Sequence, residues 1–211
     1  EVDLIINLSS SPFTTDKQKL RESMISASSK KYKIPIVYVN QVGGNDDLIF
    51  DGASLVINGQ GKLLARAKAF EEDLLVIDLE SKNNVINEYP DKKEELVFKA
   101  LSLGMRDYLK KCGFEKALIG ISGGIDSAVV AAIASGALGP KNVTGVLMPS
   151  PYTSAQSMID VQKLAKNLGI KIVTLEITSL MDNYDKVLRS AFGGFKKDIT
   201  EENIQARIRG N

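Results

Sequence analysis

The sequence predicts an α/β protein, on three observations. Through its second half, short β-branched runs alternate with helical stretches. Their spacing is that of a parallel sheet with crossover helices on its faces. A glycine turn, "SGGIDS", stands between the first of those strands and its helix. The 211 residues suffice for one large or two small cores, and a hydrophobic share of 44% is that of a folded chain. Lys+Arg 27 against Asp+Glu 26 leaves a formal charge of +1, so no basic field recruits nucleic acid. The chain has no histidine, which removes Ser-His and Cys-His catalysis and every His-ligated metal site. The single cysteine, Cys112, excludes an internal disulfide and leads us to expect a reducing, cytoplasmic setting. No apolar run approaches the ~20 residues of a membrane span, and no charged-then-apolar leader is read in these residues. Because the chain opens at Glu1 and stops at "IQARIRGN" as a helix gathers, we expect a fragment.

The elements follow in order. "DLIINL", Asp3 to Leu8, has the composition of a buried strand, and a helix is predicted from about Asp16 to Lys33. "PIVYVN" is a strand after Pro35, followed by a glycine-rich loop at Gly43 and Gly44. Then come "LIFDG" and "ASLVIN", a hairpin turn at "NGQGK", "KLLARAKAF" and the strand-like "DLLVIDL". Residues 81–93, polar and asparagine-rich with a proline, read as a linker between a first part, 1–80, and a second, 94–211. In the second part a helix from Glu94 to Lys111 leads into the strands "ALIGI", "VTGVLM" and "KIVTLEI", with helices "DSAVVAAIASGAL" and "AQSMIDVQKLAKNLG" between them. Ligands of such sheets gather at the carboxyl ends of the strands. No internal repeat is present.

The glycine turn lies at such an end. Gly120, Gly123 and Gly124 match neither G-x-x-x-x-G-K-[ST] nor G-x-G-x-x-G. What remains is a helix N-terminus whose free amides and positive dipole end favour a multiply charged anion, with Gly123 and Gly124 allowing close approach and Ser122 and Ser127 adding hydroxyls. A carboxylate at Asp126 would repel phosphate unless a divalent cation stood between them, so magnesium is implied. The alternative is a tight turn with Asp126 or Ser127 as an ordinary helix cap.

"SGGIDSA", Ser122 to Ala128, resembles the pyrophosphate loop of the N-type ATP pyrophosphatases, which cleave ATP between its α and β phosphates and adenylate their substrate. The resemblance implies ATP contacts at Gly120, Ile121, Ser122, Gly123, Gly124, Ile125, Asp126 and Ser127, with magnesium at Asp126. "VLMPSPYTSAQSMIDVQKLAKNLGI" resembles the second strand and helix of NAD synthetases, which implies an adenine pocket at Leu147 and Met148. "TEENIQARIRG" resembles their deamido-NAD segment, which implies contacts at Asn203 and Arg207; a helix start with a solvated arginine is the plainer reading. The first part resembles the carboxyl half of a nitrilase-like glutamine amidase, and this implies glutamine contacts at Ser11 and Lys17.

Fused in this order, the two halves are similar to glutamine-dependent NAD synthetases. That implies half of a nitrilase-like α/β sandwich followed by a doubly wound parallel sheet, with ATP, deamido-NAD and glutamine as partners and a homo-oligomer as the assembly. No catalytic residue is assigned, since the Glu-Lys-Cys triad of such amidases would lie upstream of Glu1. Cys112 is expected to pack as a small apolar residue. Asp46, Asp47 and Asp51 are expected to shape their loop and its subunit contacts. Three alternatives stay open: another amidotransferase of this ATP-pyrophosphatase kind, making GMP or asparagine; a non-catalytic nucleotide-binding module; and an amidase with an appended structural domain.

Overall fold

The computed structural model describes residues 2–81, 84–192 and 199–210, with the side chains of 190–202 outside the described set. The chain forms two compact units, Glu1–Phe114 and Glu115–Asn211. No described helix is long and apolar enough to cross a membrane.

The first unit runs β1 (Ile5–Ser9), α1 (Lys17–Tyr32), β2 (Ile36–Asn40), β3 (Val42–Asn45), β4 (Leu48–Asp51), β5 (Leu55–Ile57), β6 (Leu63–Arg66) and α2 (Lys93–Lys111). Its main sheet has the order β1-β2-β5-β6. β1 and β2 are parallel across the α1 crossover, and β5 and β6 continue antiparallel. Tyr38, Leu55 and Ile57 are buried together on this sheet with Ile25 of α1 against them. β1 stands at the end of this sheet, and Ile6 and Leu8, two residues apart on one face, are exposed where a buried strand was expected, because no described element packs on that face.

β3 and β4 form a separate antiparallel hairpin. The glycine-rich loop expected at Gly43 and Gly44 is therefore a strand, and its glycines are explained by helix α2. A Cβ on Gly44 would stand 3.1 Å from the Gly104 Cα, and one on Gly104 would stand 3.0 Å from Ile49 Cδ1. Asp107 and Lys111 then bind the main chain of Gly44, as acceptor from its N–H at 2.8 Å and donor to its carbonyl at 2.7 Å. Small residues on both partners let backbone and helix meet at hydrogen-bonding range. Beside the hairpin, Phe70, Leu96, Ala100 and Leu103 make a second core, with Phe13 set edge-on to Phe70 at 5.3 Å.

Part of the segment expected to be a linker is laid onto this unit. Ile86 bridges Arg66, Asn87 binds the Arg66 backbone, and Tyr89 donates to Asp51 at 3.0 Å. Lys82 and Asn83 lie outside the described residues. "DLLVIDL", expected to be strand-like, forms no named strand, and it exposes Leu74 and Val76.

The second unit runs β7 (Ala117–Gly120), α3 (Ile125–Leu138), β8 (Val143–Leu147), α4 (Ala155–Leu168), β9 (Lys171–Thr174), α5 (Thr178–Phe192) and α6 (Ile199–Gly210). β7, β8 and β9 form a parallel sheet in chain order. Right-handed crossovers then set α3 and α4 on one face, so these strands carry one of the two windings. Gly145 keeps the middle of β8 clear: a Cβ there would stand 2.5 Å from Ile121 Cδ1 and 2.6 Å from Ile172 Cδ1.

Candidate functional site

Two arrangements in the structure hold chemistry, one in each unit. In the second, β7 delivers Ile121 into the sheet, where its N–H donates to the Val146 carbonyl at 2.9 Å, and the chain then breaks into Ser122, Gly123 and Gly124. Gly123 takes φ +86°, a left-handed conformation, and a Cβ on it would lie 2.9 Å from Ser157 Cβ and 3.0 Å from the Ser157 carbonyl. The loop therefore rests directly on the first turn of α4.

Gly124 caps α3 with extended geometry. Its N–H donates to Ser122 Oγ at 3.2 Å, and Ser127 Oγ donates to its carbonyl at 3.0 Å. The two serines thus hold the loop's shape, while the first amides of α3 have no intrahelical acceptor. α4 begins beside this loop with Ser154 as its cap, accepting from the Ser157 N–H at 3.1 Å. Two helix N-termini therefore bear on one bend, an arrangement that attracts anions.

A cleft of about 470 Å³ opens here, lined by Gly120, Ile121, Ser122, Leu147 and Met148 among others. Of the predicted ATP contacts, those five face the cleft, Gly123 lies against α4, and Gly124 to Ser127 build the helix start. Asp126 is exposed in the first turn of α3. Asn203 and Arg207 are exposed on α6, whereas Gln205 and Arg209 of the same helix line the cleft. Gln205 is buried with its Oε1 accepting from Ser150 at 2.7 Å and Arg209 at 3.3 Å, and Arg209 Nε donates to the Met148 carbonyl at 3.2 Å. Sequence reasoning missed this pair. Its signal was the i,i+4 pair Ile204 and Ile208: Ile208 is buried, and Gln205, three residues before it, is buried with it, while Asn203 and Arg207 are exposed. Glu201 and Glu202 have side chains outside the described set.

In the first unit, Ser11 lies between β1 and α1, with its N–H donating to Asn40 Oδ1 at 2.9 Å. Arg21 of α1 reaches it with two donors, Nε to Ser11 Oγ at 3.3 Å and Nη2 to the Ser11 carbonyl at 3.0 Å. Nη1 of Arg21 meets Asp51 at 2.9 Å and Gln18 Oε1 at 2.9 Å. Arg21 is 6% exposed and Asp51 1%, so this is a buried ion pair. It is stabilised by satisfying each lone pair and proton: Asn40 and Tyr89 also donate to the carboxylate. Burial, and next the Asp51 charge, push the Tyr89 phenol far up from its ordinary value, so it remains a donor. Lys17, the other predicted glutamine contact, opens α1.

Asp51 thus parts company with Asp46 and Asp47. The latter two are exposed at the β3–β4 turn, where Asp46 takes φ +51°, while Asp51 is a core residue. Cys112 corrects another expectation: it is exposed at the end of α2 rather than packed.

Comparison with known proteins finds two family matches along the chain. Residues 97–211 match the family model NAD synthase, and residues 1–84 match Carbon-nitrogen hydrolase. The chain is 49% identical to the glutamine-dependent NAD(+) synthetase of Synechocystis sp., covering 100% of this chain and 38% of that protein. It is 42% identical to that of Thermotoga maritima, covering 100% and 43%. The chain therefore spans about two-fifths of these relatives. The structure of a glutamine-dependent NAD+ synthetase from Acinetobacter baumannii in complex with adenosine diphosphate superposes with TM-score 0.86 at 40% identity, over 99% of this chain and 40% of that one. One from Cytophaga hutchinsonii, 21% identical, shares the fold at TM-score 0.82 over 98% and 42%. With the family model matching residues 97–211, more than half its length, and a glycine bend after β7 within that span, the chain belongs to the NAD synthase family.

Proposed function

We propose that this chain is part of a glutamine-hydrolysing NAD synthetase. The bend from Ser122 to Ser127 carries the proposal: glycine at φ +86° laid on one helix start and leading into another leaves room for main-chain amides to meet phosphate oxygens. Adenine would lie against Leu147 and Met148, and Asn203 and Arg207 would hold deamido-NAD. In the reaction, a carboxylate oxygen of deamido-NAD bonds to the α-phosphorus as the bond to the bridging oxygen breaks, and pyrophosphate leaves with that electron pair. Ammonia then attacks the activated carbonyl carbon, AMP departs, and a proton is lost to solvent. The α3 amides and Ser122 would stabilise the charge that grows on pyrophosphate.

Magnesium fits the residues at the bend. Asp126 offers one exposed carboxylate, and among the described residues there is no cluster of three or more metal-ligating side chains. Asp126, in the first turn of α3, is the residue that would hold the ion. When bound, it would offset phosphate charge. Ser11 and Lys17 would bind glutamine, with the amidase triad outside this sequence. We further propose a cytoplasmic homo-oligomer.

The test is to supply the full-length protein with ATP, magnesium, deamido-NAD and glutamine. AMP and NAD are expected in equal amounts, and their absence discards the reading. Asp126→Asn is expected to slow pyrophosphate release by about a hundredfold while glutamine hydrolysis persists. Unchanged release would remove Asp126 from the site.

A further inference from the structure

We propose that Arg21, held by Asp51, is a positioning residue that biases the Ser11 hydroxyl toward donating, so that it favours the carboxylate end of glutamine over the ammonium end. The inference deepens the glutamine-binding role of Ser11 and rests on it.

A serine hydroxyl has one proton and two lone pairs, and alone it binds either a carboxylate or an ammonium group. Glutamine carries both on the same carbon, so an uncommitted hydroxyl leaves its orientation undecided. Arg21 narrows that freedom: it takes one of the two lone pairs and sets a guanidinium beside the oxygen, where a second cation is disfavoured. A guanidinium is donor-only, so the 3.3 Å contact from its Nε occupies a lone pair of Ser11 Oγ and leaves the proton for another acceptor. The main chain at Ser11 is pinned on both sides, by Asn40 at its N–H and by Arg21 Nη2 at its carbonyl, so the hydroxyl cannot swing away with the backbone.

Arg21 is itself immobile. Nη1 is held by Asp51 and Gln18, and Nη2 by the Ser11 and Pro12 carbonyls. Asp51 is gripped in turn by Tyr89 and Asn40. A planar fork with every arm bonded is a rigid strut, which a flexible ammonium would not reproduce. Lys17 adds a positive charge six residues on, and Asp16 beside it is paired with Lys93 at 3.2 Å. A donor at Ser11 and a cation at Lys17 are together the complement of a carboxylate.

The experiment uses the full-length protein and two truncated glutamines: glutaramate, which keeps the carboxylate and amide, and 4-aminobutanamide, which keeps the ammonium and amide. Arg21→Lys and Ser11→Ala are each compared with the unmodified protein for glutamine kcat and KM and for inhibition by both analogues. Each variant is expected to raise the glutamine KM and the glutaramate inhibition constant about tenfold. The 4-aminobutanamide constant should move less than about threefold, and the double variant should lose little more than either single one. Equal weakening of both analogues, a fall in kcat at constant KM, or multiplying losses in the double variant would each overturn the proposal. Ser11→Ala, the smaller change, keeps the test decisive if Arg21→Lys fails to fold. Should the unmodified protein not hydrolyse glutamine at all, the functional reading beneath the proposal fails instead.

Discussion

Around Ser11, side chains converge on a buried ion pair, and the backbone is shaped by what they hold. Around Gly123, main chain meets main chain with nothing but serine hydroxyls between. In the proposed roles both regions would present donors to an anionic ligand, yet they reach that end by opposite means. The first spends polar side chains in the interior and needs all of them satisfied. The second avoids side chains, so its tolerance is set by volume rather than by charge. Removing a group should therefore damage the first region most, and adding one should damage the second.

The largest effect is expected from Asp51→Ala. Arg21 would be left buried at 6% exposure without its counter-charge, and Tyr89 and Asn40 would lose an acceptor. Breaking a buried pair on one side costs about 3–5 kcal/mol, so the unfolding transition carrying the first unit should fall by roughly 10 °C in calorimetry of the full-length protein. A shift near zero would show that the pair is not built as described, and the contrast between the regions would lose its first half.

Gly123→Ala comes next, at about 2 kcal/mol from the left-handed backbone alone. The added methyl must also displace Ser157, at whose Cβ and carbonyl it would arrive within 2.9 and 3.0 Å. The start of α4 and the bend would be driven apart. ATP binding measured by calorimetry is expected to weaken at least a hundredfold. Gly139→Ala in the same unit, also at positive φ but with no atom within 4 Å of its Cβ, should cost stability and leave ATP affinity intact. Equal loss of affinity in both variants would mean that strain, not closeness, governs the bend.

Legibility in the sequence followed the same division. The bend was readable because glycine and serine at a strand end leave few uses for that pattern, and the helices Ile125–Leu138 and Ala155–Leu168 begin and end close to where apolar spacing puts them. α1 was readable as a helix but not in its orientation. Its apolar residues Leu20 and Met24 are 58% and 61% exposed, and the helix buries Gln18, Arg21 and Ser29 instead. A buried arginine has no local signature. Its partner stands thirty residues away at Asp51, and only the tertiary fold brings the two charges together. The glycines at 43, 44 and 104 were invisible for the same reason: each answers to an atom on a different element.

The smallest expected effect sharpens the comparison most finely, because it separates hydrogen bonding from charge in the first region. Tyr89→Phe removes one donor to Asp51 and leaves the Arg21 pair in place, so about 1 kcal/mol should be lost at neutral pH. The pH dependence gives the sign. Tyr89 has its folded value raised above the ordinary 10.0, by burial first and the Asp51 charge next. Below pH 10 the phenol is protonated in both states and its contribution is whole. Above it the unfolded chain ionises while the folded phenol holds its proton, so stability drains away as the solution becomes more alkaline. Thermal unfolding between pH 9 and about 11.5 should therefore fall more steeply for the unmodified protein than for Tyr89→Phe, with the curves converging at the alkaline end. Parallel curves would show that the phenol is not held against Asp51 in solution, and the strut behind Ser11 would then rest on Arg21, Gln18 and Asn40 alone.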